Sequence, residues 1–229
     1  MIFLICLLII DFEIRPNQID APTYDKNGNV NGRKLQQLRQ YEGVDSYEPK
    51  KFNQIVFNGR EKVATKELQK KFGDRNYIIF NPDPKRTKFR QNNKDWGWQK
   101  WVDLAAILSV QYNIVRCYHG KGAELPNAYN IRTHNAKAAA RAAINAKAVI
   151  TTEGLMHHIC GSYNVPCVVI YGGVTGPSHF GYDGQENLIY DHPMTPCNTK
   201  YKDCPHCREA MDSISINDVA EALERALNK

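Results

Sequence analysis

Short apolar segments alternate with amphipathic helical patterns along most of this 229-residue chain, and this alternation constrains its fold more than any other feature. Continuous apolar runs predict strands at 77–80, 114–118, 148–151, 167–171 and 187–190. Apolar side chains that recur every three or four residues predict helices over 63–72, 98–108, 136–146 and 155–163. A last helix is predicted from Ile216, because Ser215 can cap it and Asp218 follows three residues later.

Repeated strand–helix units of this size predict a parallel sheet with helices on both faces, because neighbouring parallel strands need crossover connections. The fold class expected is therefore α/β and Rossmann-like. In such sheets ligands bind beyond the carboxyl ends of the strands. We expect a site in the loops that follow Phe80, Tyr118, Thr151 and Tyr171.

Residues 1–53 do not follow this pattern. The stretch 11–51 is polar and contains the turn signals Asn27-Gly28 and Asn31-Gly32. The apolar run 1–10 has no basic segment before it, no small-residue cleavage site after it, and too few residues to cross a bilayer. We interpret it as a buried strand or the remnant of a larger domain, with an export signal as the alternative. The predicted division is an amino-terminal remnant or poorly ordered segment at 1–53 and a Rossmann-like domain at 54–229.

The net charge and the cysteine content limit the kind of partner and the cellular compartment that we expect. The net charge of +6 favours an anionic partner but leaves phosphates, nucleic acid and anionic lipid open. Seven cysteines are an odd number at irregular spacing, in a chain too large to need disulfide bridges. This favours a reducing compartment, and we expect the cytoplasm.

The loop after the third predicted strand carries a carboxylate, a glycine and histidines around a helix start. Free amides at Gly154 and the helix dipole would attract a diphosphate. Glu153 would repel phosphate and is better suited to ribose or sugar hydroxyls. His157 can donate to a phosphate, or it can be a structural histidine that bonds the backbone.

Basic residues accumulate before the helix at 98–108, and three tryptophans follow them. They are Lys85, Arg86, Lys88, Arg90 and Lys94, then Trp96, Trp98 and Trp101. One interpretation is a lysine that neutralises a leaving diphosphate, and another is a solvated basic loop. Nucleic-acid stacking is a third, but Trp98 and Trp101 share a helical face with Leu104, which favours core packing.

The glycines that follow the strand at 167–171 have two interpretations. Gly172 and Gly173 either let a ligand approach the backbone or only form a turn.

Three cysteines and a histidine lie close together near the carboxy terminus. They are Cys197, Cys204, His206 and Cys207. They offer donors for zinc, but a usual structural site has two cysteine pairs and this chain has one, so a reduced loop packed under the sheet is the first interpretation.

Four segments, taken in order, resemble glycosyltransferase family 9, the ADP-heptose:lipopolysaccharide heptosyltransferases. They are 93–98 (NKDWGW), 152–157 (TEGLMH), 168–173 (VVIYGG) and 204–211 (CPHCREAM). The resemblance begins near Phe57 and is closest to a subgroup with Glu-Gly where other members have Asp-Ser-Gly or Asp-Thr-Gly.

The resemblance implies the carboxy-terminal, donor-binding half of a two-domain GT-B arrangement, with the amino-terminal domain largely missing. It implies inverting, metal-independent transfer from a nucleotide-diphosphate sugar, with an ADP-linked donor like those of the family, in lipopolysaccharide biosynthesis. Carried over by position, Lys94 contacts the diphosphate, Gly154 and Leu155 offer backbone near it, His157 helps to hold the phosphates, and Glu153 binds a hydroxyl.

The partners implied are the donor, a glycan or lipid-linked acceptor, and either a separate amino-terminal domain or a second copy of the chain, at the cytoplasmic side of the inner membrane. The family's catalytic base lies in the amino-terminal domain, and no motif assigns that role to Asp11 or Asp20. The alternative function is a non-catalytic zinc- or nucleic-acid-binding module, with nucleic acid the less favoured partner.

Overall fold

The structure is a computed structural model that describes residues 57, 59–82, 92–118, 123–197, 199 and 203–229. The apolar run at 1–10, the predicted domain boundary after residue 53, and the acids Asp11 and Asp20 lie outside these residues. None of the helices in the described ranges is both long enough and apolar enough to cross a membrane.

The domain consists of six strands and seven α-helices within the described residues, together with a 3₁₀ turn at Asn92–Lys94. The strands are β1 (Ile78–Asn81), β2 (Ile114–Tyr118), β3 (Tyr129–Arg132), β4 (Ala148–Thr152), β5 (Cys167–Ile170) and β6 (Glu186–Leu188). The helices are α1 (Val63–Phe72), α2 (Trp98–Leu108), α3 (Ala136–Ile144), α4 (Leu155–Tyr163), α5 (Pro177–Phe180), α6 (Pro205–Ser213) and α7 (Ile216–Leu227).

All six strands are parallel, in the order β3-β2-β1-β4-β5-β6. The chain moves outward from β1 in one direction through β2 and β3, then returns and moves outward in the other direction from β4. Connections therefore diverge between β1 and β4, which is the position at the carboxyl edge where sheets of this kind commonly bind ligands. The Rossmann-like α/β fold predicted from the sequence is confirmed.

The sheet is apolar on both faces because helices cover both. Along β1, Ile78 and Phe80 point into the core formed with α2 and α7, whereas Ile79 points into the core formed with α1, α3 and α4. Side chains alternate along a strand, so one apolar run supplies both cores. This explains why the strands read as continuous apolar segments.

Most predicted elements occur at or near their predicted residues. The strand at 114–118 and the helices at 63–72, 98–108 and 155–163 match the structure. The last helix begins as expected, with Ser215 Oγ accepting from the Asp218 N–H at 3.1 Å and the Asp218 carboxylate accepting from the Ser215 N–H at 2.8 Å. The elements that were not predicted are β3, α5, α6 and the 3₁₀ turn.

One packing prediction was half wrong. Trp101 is fully buried, but Trp98 on the same predicted face remains 37% exposed. Its ring lies 4.8 Å from the guanidinium carbon of the buried Arg116, so it covers a cation rather than filling the apolar core. Trp96, which precedes the helix, is buried instead, and its Nε1 donates to the Ile214 carbonyl at 2.9 Å.

The packing between α4 and Tyr182 depends on a glycine within the helix. A Cβ at Gly161 in α4 would lie 2.3 Å from Cγ of Tyr182. Glycine-to-alanine changes normally favour a helix by about 1 kcal/mol, but here the base of an aromatic ring would have to move. We expect Gly161→Ala to lower the free energy of unfolding by roughly 1–3 kcal/mol, measured by urea denaturation.

Gly59→Ala is the control, since a Cβ at Gly59 meets nothing within 4 Å. Equal or increased stability of Gly161→Ala would show that Tyr182 does not hold this position.

Candidate functional site

Polar side chains join β1 and β4 where the two strands end. Asn81 is paired with Thr151 in the sheet register, and its Nδ2 donates to Thr151 Oγ1 at 2.9 Å. The Glu153 N–H then donates to the Ile170 carbonyl at 3.2 Å, which continues the β4–β5 ladder by one residue. The loop that carries Glu153 is therefore fixed by the sheet itself.

An ion pair lies at this edge. The Lys94 ammonium, at the end of the 3₁₀ turn, contacts Oε2 of Glu153, and both side chains are largely buried. Thr175 Oγ1 donates to the same carboxylate oxygen at 3.2 Å. Three separate loops, following β1, β4 and β5, thus bring one cation, one carboxylate and one hydroxyl to the switch point of the sheet.

Helix α4 begins at this edge. Gly154 is its N-cap residue, and Leu155 and Met156 follow in its first turn. First-turn amides have no acceptor inside their own helix, and the helix dipole adds partial positive charge there. The predicted donor-binding residues Lys94, Glu153, Gly154 and Leu155 are therefore neighbours in one short stretch of the carboxyl edge.

His157 lies beneath this loop rather than on its surface. It is fully buried; its Nδ1 accepts from the Gly154 N–H at 2.9 Å, and its Nε2 lies 3.0 Å from the Phe180 carbonyl. Since a carbonyl can only accept, Nε2 carries the proton and the ring is neutral. His157 thus holds the N-cap of α4 through the backbone, which is the structural alternative considered from sequence.

Burial sets the charge of both adjacent histidines. It holds the pKa of His157 well below 6.5, and the neighbouring His158 ring, whose centroid is 3.9 Å away, lowers that pKa further. Burial, together with the nearby Lys94 cation, lowers the pKa of His158 to about 4. Both rings are therefore neutral at pH 7.

Gly172 and Gly173 are small because other parts of the domain pack against them. A Cβ at Gly172 would lie 2.8 Å from the Asn93 carbonyl oxygen, and one at Gly173 would lie 2.4 Å from Cε1 of His206. Both residues are buried. The glycines thus provide close packing between the β5 loop, the 3₁₀ turn and α6.

The cysteine and histidine side chains of the carboxy-terminal loop also come together. The donor atoms of Cys197, Cys204, His206 and Cys207 all lie within 4.8 Å of one another. Burial alone would raise the pKa of the Cys204 thiol, but hydrogen bonds from Cys207, Cys197 and the His206 backbone bring it below its ordinary value. Burial raises the pKa of Cys207.

Only part of the basic segment lies within the described residues. Lys85, Arg86, Lys88 and Arg90 lie outside the described residues, whereas Lys94 belongs to the ion pair. Trp96 and Trp101 are buried and meet edge to face with centroids 5.1 Å apart. They therefore cannot act as stacking surfaces for bases, which removes two of the three tryptophans from the nucleic-acid interpretation.

Two surface hollows lie elsewhere on the domain. One of about 210 Å³ is lined by Tyr77, Ile78 and Asn113 at the amino ends of β1 and β2. The other, of about 300 Å³, lies between β6 and α7. Parallel α/β sheets bind ligands at the carboxyl edge, which is opposite to the amino ends of the strands. We therefore place the candidate site at the carboxyl edge, because of the sheet topology and the residues there, and not at the hollow with the larger volume.

Comparison with known proteins gives structural matches only. No protein-family model and no curated protein matches the chain. Among solved structures, a glycosyl transferase family 9 protein from Veillonella parvula DSM 2008 is 18% identical, with a TM-score of 0.57 over 95% of this chain and 65% of the other. ADP-heptose LPS heptosyltransferase II of E. coli is 17% identical, with a TM-score of 0.56 over 80% of this chain and 56% of the other.

A third structure, E. coli heptosyltransferase WaaC with ADP, is 14% identical, with a TM-score of 0.51 over 93% of this chain and 60% of the other. The chain has the fold of the family 9 glycosyltransferases. The resemblance read from its motifs is thereby confirmed at the level of fold. The chain spans less than two thirds of the length of each of these three glycosyltransferases.

Sequence analysis missed three residues that organise this glycosyltransferase-like edge. Thr175 bonds Glu153, Asn81 bonds Thr151, and Asn93 accepts the Cys204 N–H at 3.0 Å through Oδ1. Each bond joins residues at least 22 positions apart, so no local pattern reports it. The only local signal was that each of them ends or follows a predicted strand, or precedes Lys94.

The buried histidines predict a pH dependence of stability. Their folded-state pKa values lie below 6.5, so on acidification the unfolded chain takes up protons that the folded chain does not. The free energy of unfolding should therefore be highest above about pH 6.5 and fall as pH decreases towards 5, by up to about 1.4 kcal/mol per pH unit for each histidine. Urea denaturation across this range measures it.

His158→Asn should make that dependence shallower, whereas His134→Asn, at an exposed position, should leave it unchanged. An identical pH profile for His158→Asn and the unmodified protein would contradict the assignment.

Proposed function

We propose that this domain binds a nucleotide-diphosphate sugar, ADP-linked, at the carboxyl edge of its sheet, as the donor half of a glycosyltransferase. The observation that carries the proposal is the Lys94 ammonium held by Glu153 at the switch point, beside the first turn of α4. An anionic diphosphate fits that position because a lysine and a helix amino terminus both stabilise negative charge.

Each residue has a separate role in the proposal. Lys94 contacts the diphosphate, since an ammonium has three N–H donors and can serve a carboxylate and a phosphate together. Leu155 offers a backbone N–H group at the start of α4, whereas Gly154, whose own N–H is bonded to His157, lets the phosphate approach the backbone closely. His157 is a positioning residue that fixes the Gly154 amide, because both of its ring nitrogens face backbone groups.

Glu153 orients Lys94 and keeps the empty site close to neutral. Its second oxygen, Oε1, is the atom we propose for a ribose or sugar hydroxyl. Glu153 is not assigned as the catalytic base, because its Oε2 already accepts from Lys94 and Thr175. The base that activates the acceptor hydroxyl stays unassigned.

The proposed reaction is inverting transfer in which protein groups, rather than a metal, stabilise the leaving diphosphate. Developing negative charge on the leaving group is greatest in the transition state, where a preorganised lysine and helix terminus stabilise it most. We propose a glycan or lipid-linked acceptor, a role in lipopolysaccharide biosynthesis, and a location in the cytoplasm at the inner membrane. Among the solved structures of the same fold, one contains ADP and another is named for ADP-heptose.

Nucleotide binding provides the test. The thermal midpoint should rise selectively with ADP or an ADP-sugar compared with GDP, UDP and their sugar conjugates, because a ligand of the folded state adds about 2.7 kcal/mol at a hundredfold excess over its Kd. Lys94→Ala should then raise the Kd for that ligand by roughly tenfold to a hundredfold, the effect of losing a charge-assisted hydrogen bond. Calorimetric titration measures this directly.

Lys66→Ala on the exposed face of α1 is the matched control and should leave the Kd unchanged. If Glu153 acts on the diphosphate through Lys94, the double variant Lys94→Ala/Glu153→Gln should bind a nucleoside diphosphate no more weakly than Lys94→Ala alone. Unchanged affinity in Lys94→Ala would remove Lys94 from the site, and no response to any nucleotide would contradict the proposed function.

A further inference from the structure

The cluster of Cys197, Cys204, His206 and Cys207 has the composition of a structural zinc site. Cys197 Sγ lies 3.8 Å from Cys204 Sγ and 3.2 Å from Cys207 Sγ. Two thiolates bound tetrahedrally at about 2.3 Å from one zinc ion are about 3.8 Å apart. The Cys197–Cys204 separation therefore equals the zinc value, the Cys197–Cys207 separation is about 0.6 Å shorter, and all four donor atoms are within 4.8 Å of one another.

The local backbone supports the same arrangement. Cys204 is the N-cap residue of α6, and the backbone N–H groups of His206 and Cys207 both donate to its sulfur. Cys197, seven residues earlier, is brought to this turn by its own N–H, which donates to the Gly173 carbonyl at 2.8 Å. The cysteine that looked isolated in sequence is thus the third member of the cluster.

His206 completes the donor set. It is only 6% exposed, and its Nε2 lies 3.1 Å from the Thr195 hydroxyl. Its other nitrogen, Nδ1, is buried without a hydrogen-bond partner among the described residues. A buried imidazole nitrogen without a partner is costly, and metal-bound histidines typically bond a second group through the nitrogen that does not bind the metal.

We propose that Cys197, Cys204, Cys207 and the Nδ1 atom of His206 bind one zinc ion in a closed structural site. Three sulfurs and one imidazole nitrogen form a ligand set used by structural zinc, and four protein ligands leave no open position for a substrate. Binding requires only that the thiols release their protons as they become zinc thiolates. A disulfide would use two of the three sulfurs and leave His206 Nδ1 unbonded.

The zinc site would stabilise the two loops that flank the proposed donor site, namely the loop after β5 and the turn that carries Lys94. His206 packs against Gly173, and Asn93, next to Lys94, bonds both the Cys204 N–H through Oδ1 and the Thr199 carbonyl through Nδ2. The ion would therefore tie the start of α6 to the segment around Cys197 and to the turn that carries Lys94. This role is structural and separate from the proposed transfer chemistry.

The test is metal content of the full chain, purified without chelator and without added metal in the final steps. Elemental analysis should give about one zinc per chain, and Cys197→Ser and Cys204→Ser should each lose it. Cys117→Ser, which alters a buried cysteine on β2 away from the cluster, should retain it. Zinc retained in both cluster variants, or iron in its place, would overturn the proposal.

Two measurements on the unmodified protein guard against variants that fail to fold. Substitution of the unmodified protein with Co²⁺ should give the intense visible bands of a tetrahedral thiolate site. As a separate test of the fourth ligand, His206→Gln should shift those bands. Chelation should make three further thiols reactive, those of Cys197, Cys204 and Cys207, and should lower the thermal midpoint. Absence of tetrahedral cobalt bands, or a Cys197–Cys207 disulfide in the purified protein, would exclude the site; none of these readouts depends on nucleotide binding.

Discussion

Burial of a parallel sheet on both of its faces is the constraint on which the rest of this domain depends. Because helices cover both faces, the strands are mainly apolar on both sides, with the buried Arg116 of β2 as a polar exception. The polar side chains of the candidate site lie at the strand ends. Because the connections diverge between β1 and β4, the two central strands end side by side at the position where such sheets commonly bind ligands. Lys94, Glu153 and Thr175 come together there although they belong to three different loops.

The same constraint explains what could be read from the sequence. The strands β1, β2, β4 and β5 are nearly fully buried, so each appears as an unmistakable apolar run. The edge strand β3, with sequence Tyr-Asn-Ile-Arg, buries only Ile131, and its mixed composition resembles a loop. Helix α6 was missed because a cysteine pair and a proline opened it, and those residues were read as a possible metal-binding loop rather than as a helix start.

The candidate site was predictable in its location but not in its internal bonding. Loop chemistry in the sequence pointed to Glu153 and Gly154, and the family resemblance added Lys94 and Leu155. The structure brings the four together at one edge of the sheet, and their role in binding stays a prediction. The role of His157 was not visible, since its Nε2 partner is the Phe180 carbonyl, 23 residues away. A histidine in a helix can point to solvent or to the interior, and only tertiary packing decides which.

The two glycines after β5 lie between the candidate site and the cysteine–histidine cluster. Sequence alone offered ligand approach or an ordinary turn as reasons for Gly172 and Gly173, but each would collide with another part of the domain if it carried a Cβ. Gly172 leaves room for the turn that carries Lys94, and Gly173 leaves room for the His206 ring of the cysteine–histidine cluster. Because these two residues have no side chain, the cluster of Cys197, Cys204, His206 and Cys207 packs against the loop after β5, next to the candidate site. A structural ion in that position is compatible with transfer that uses no metal, because the ion would set the position of Lys94 without contacting the diphosphate.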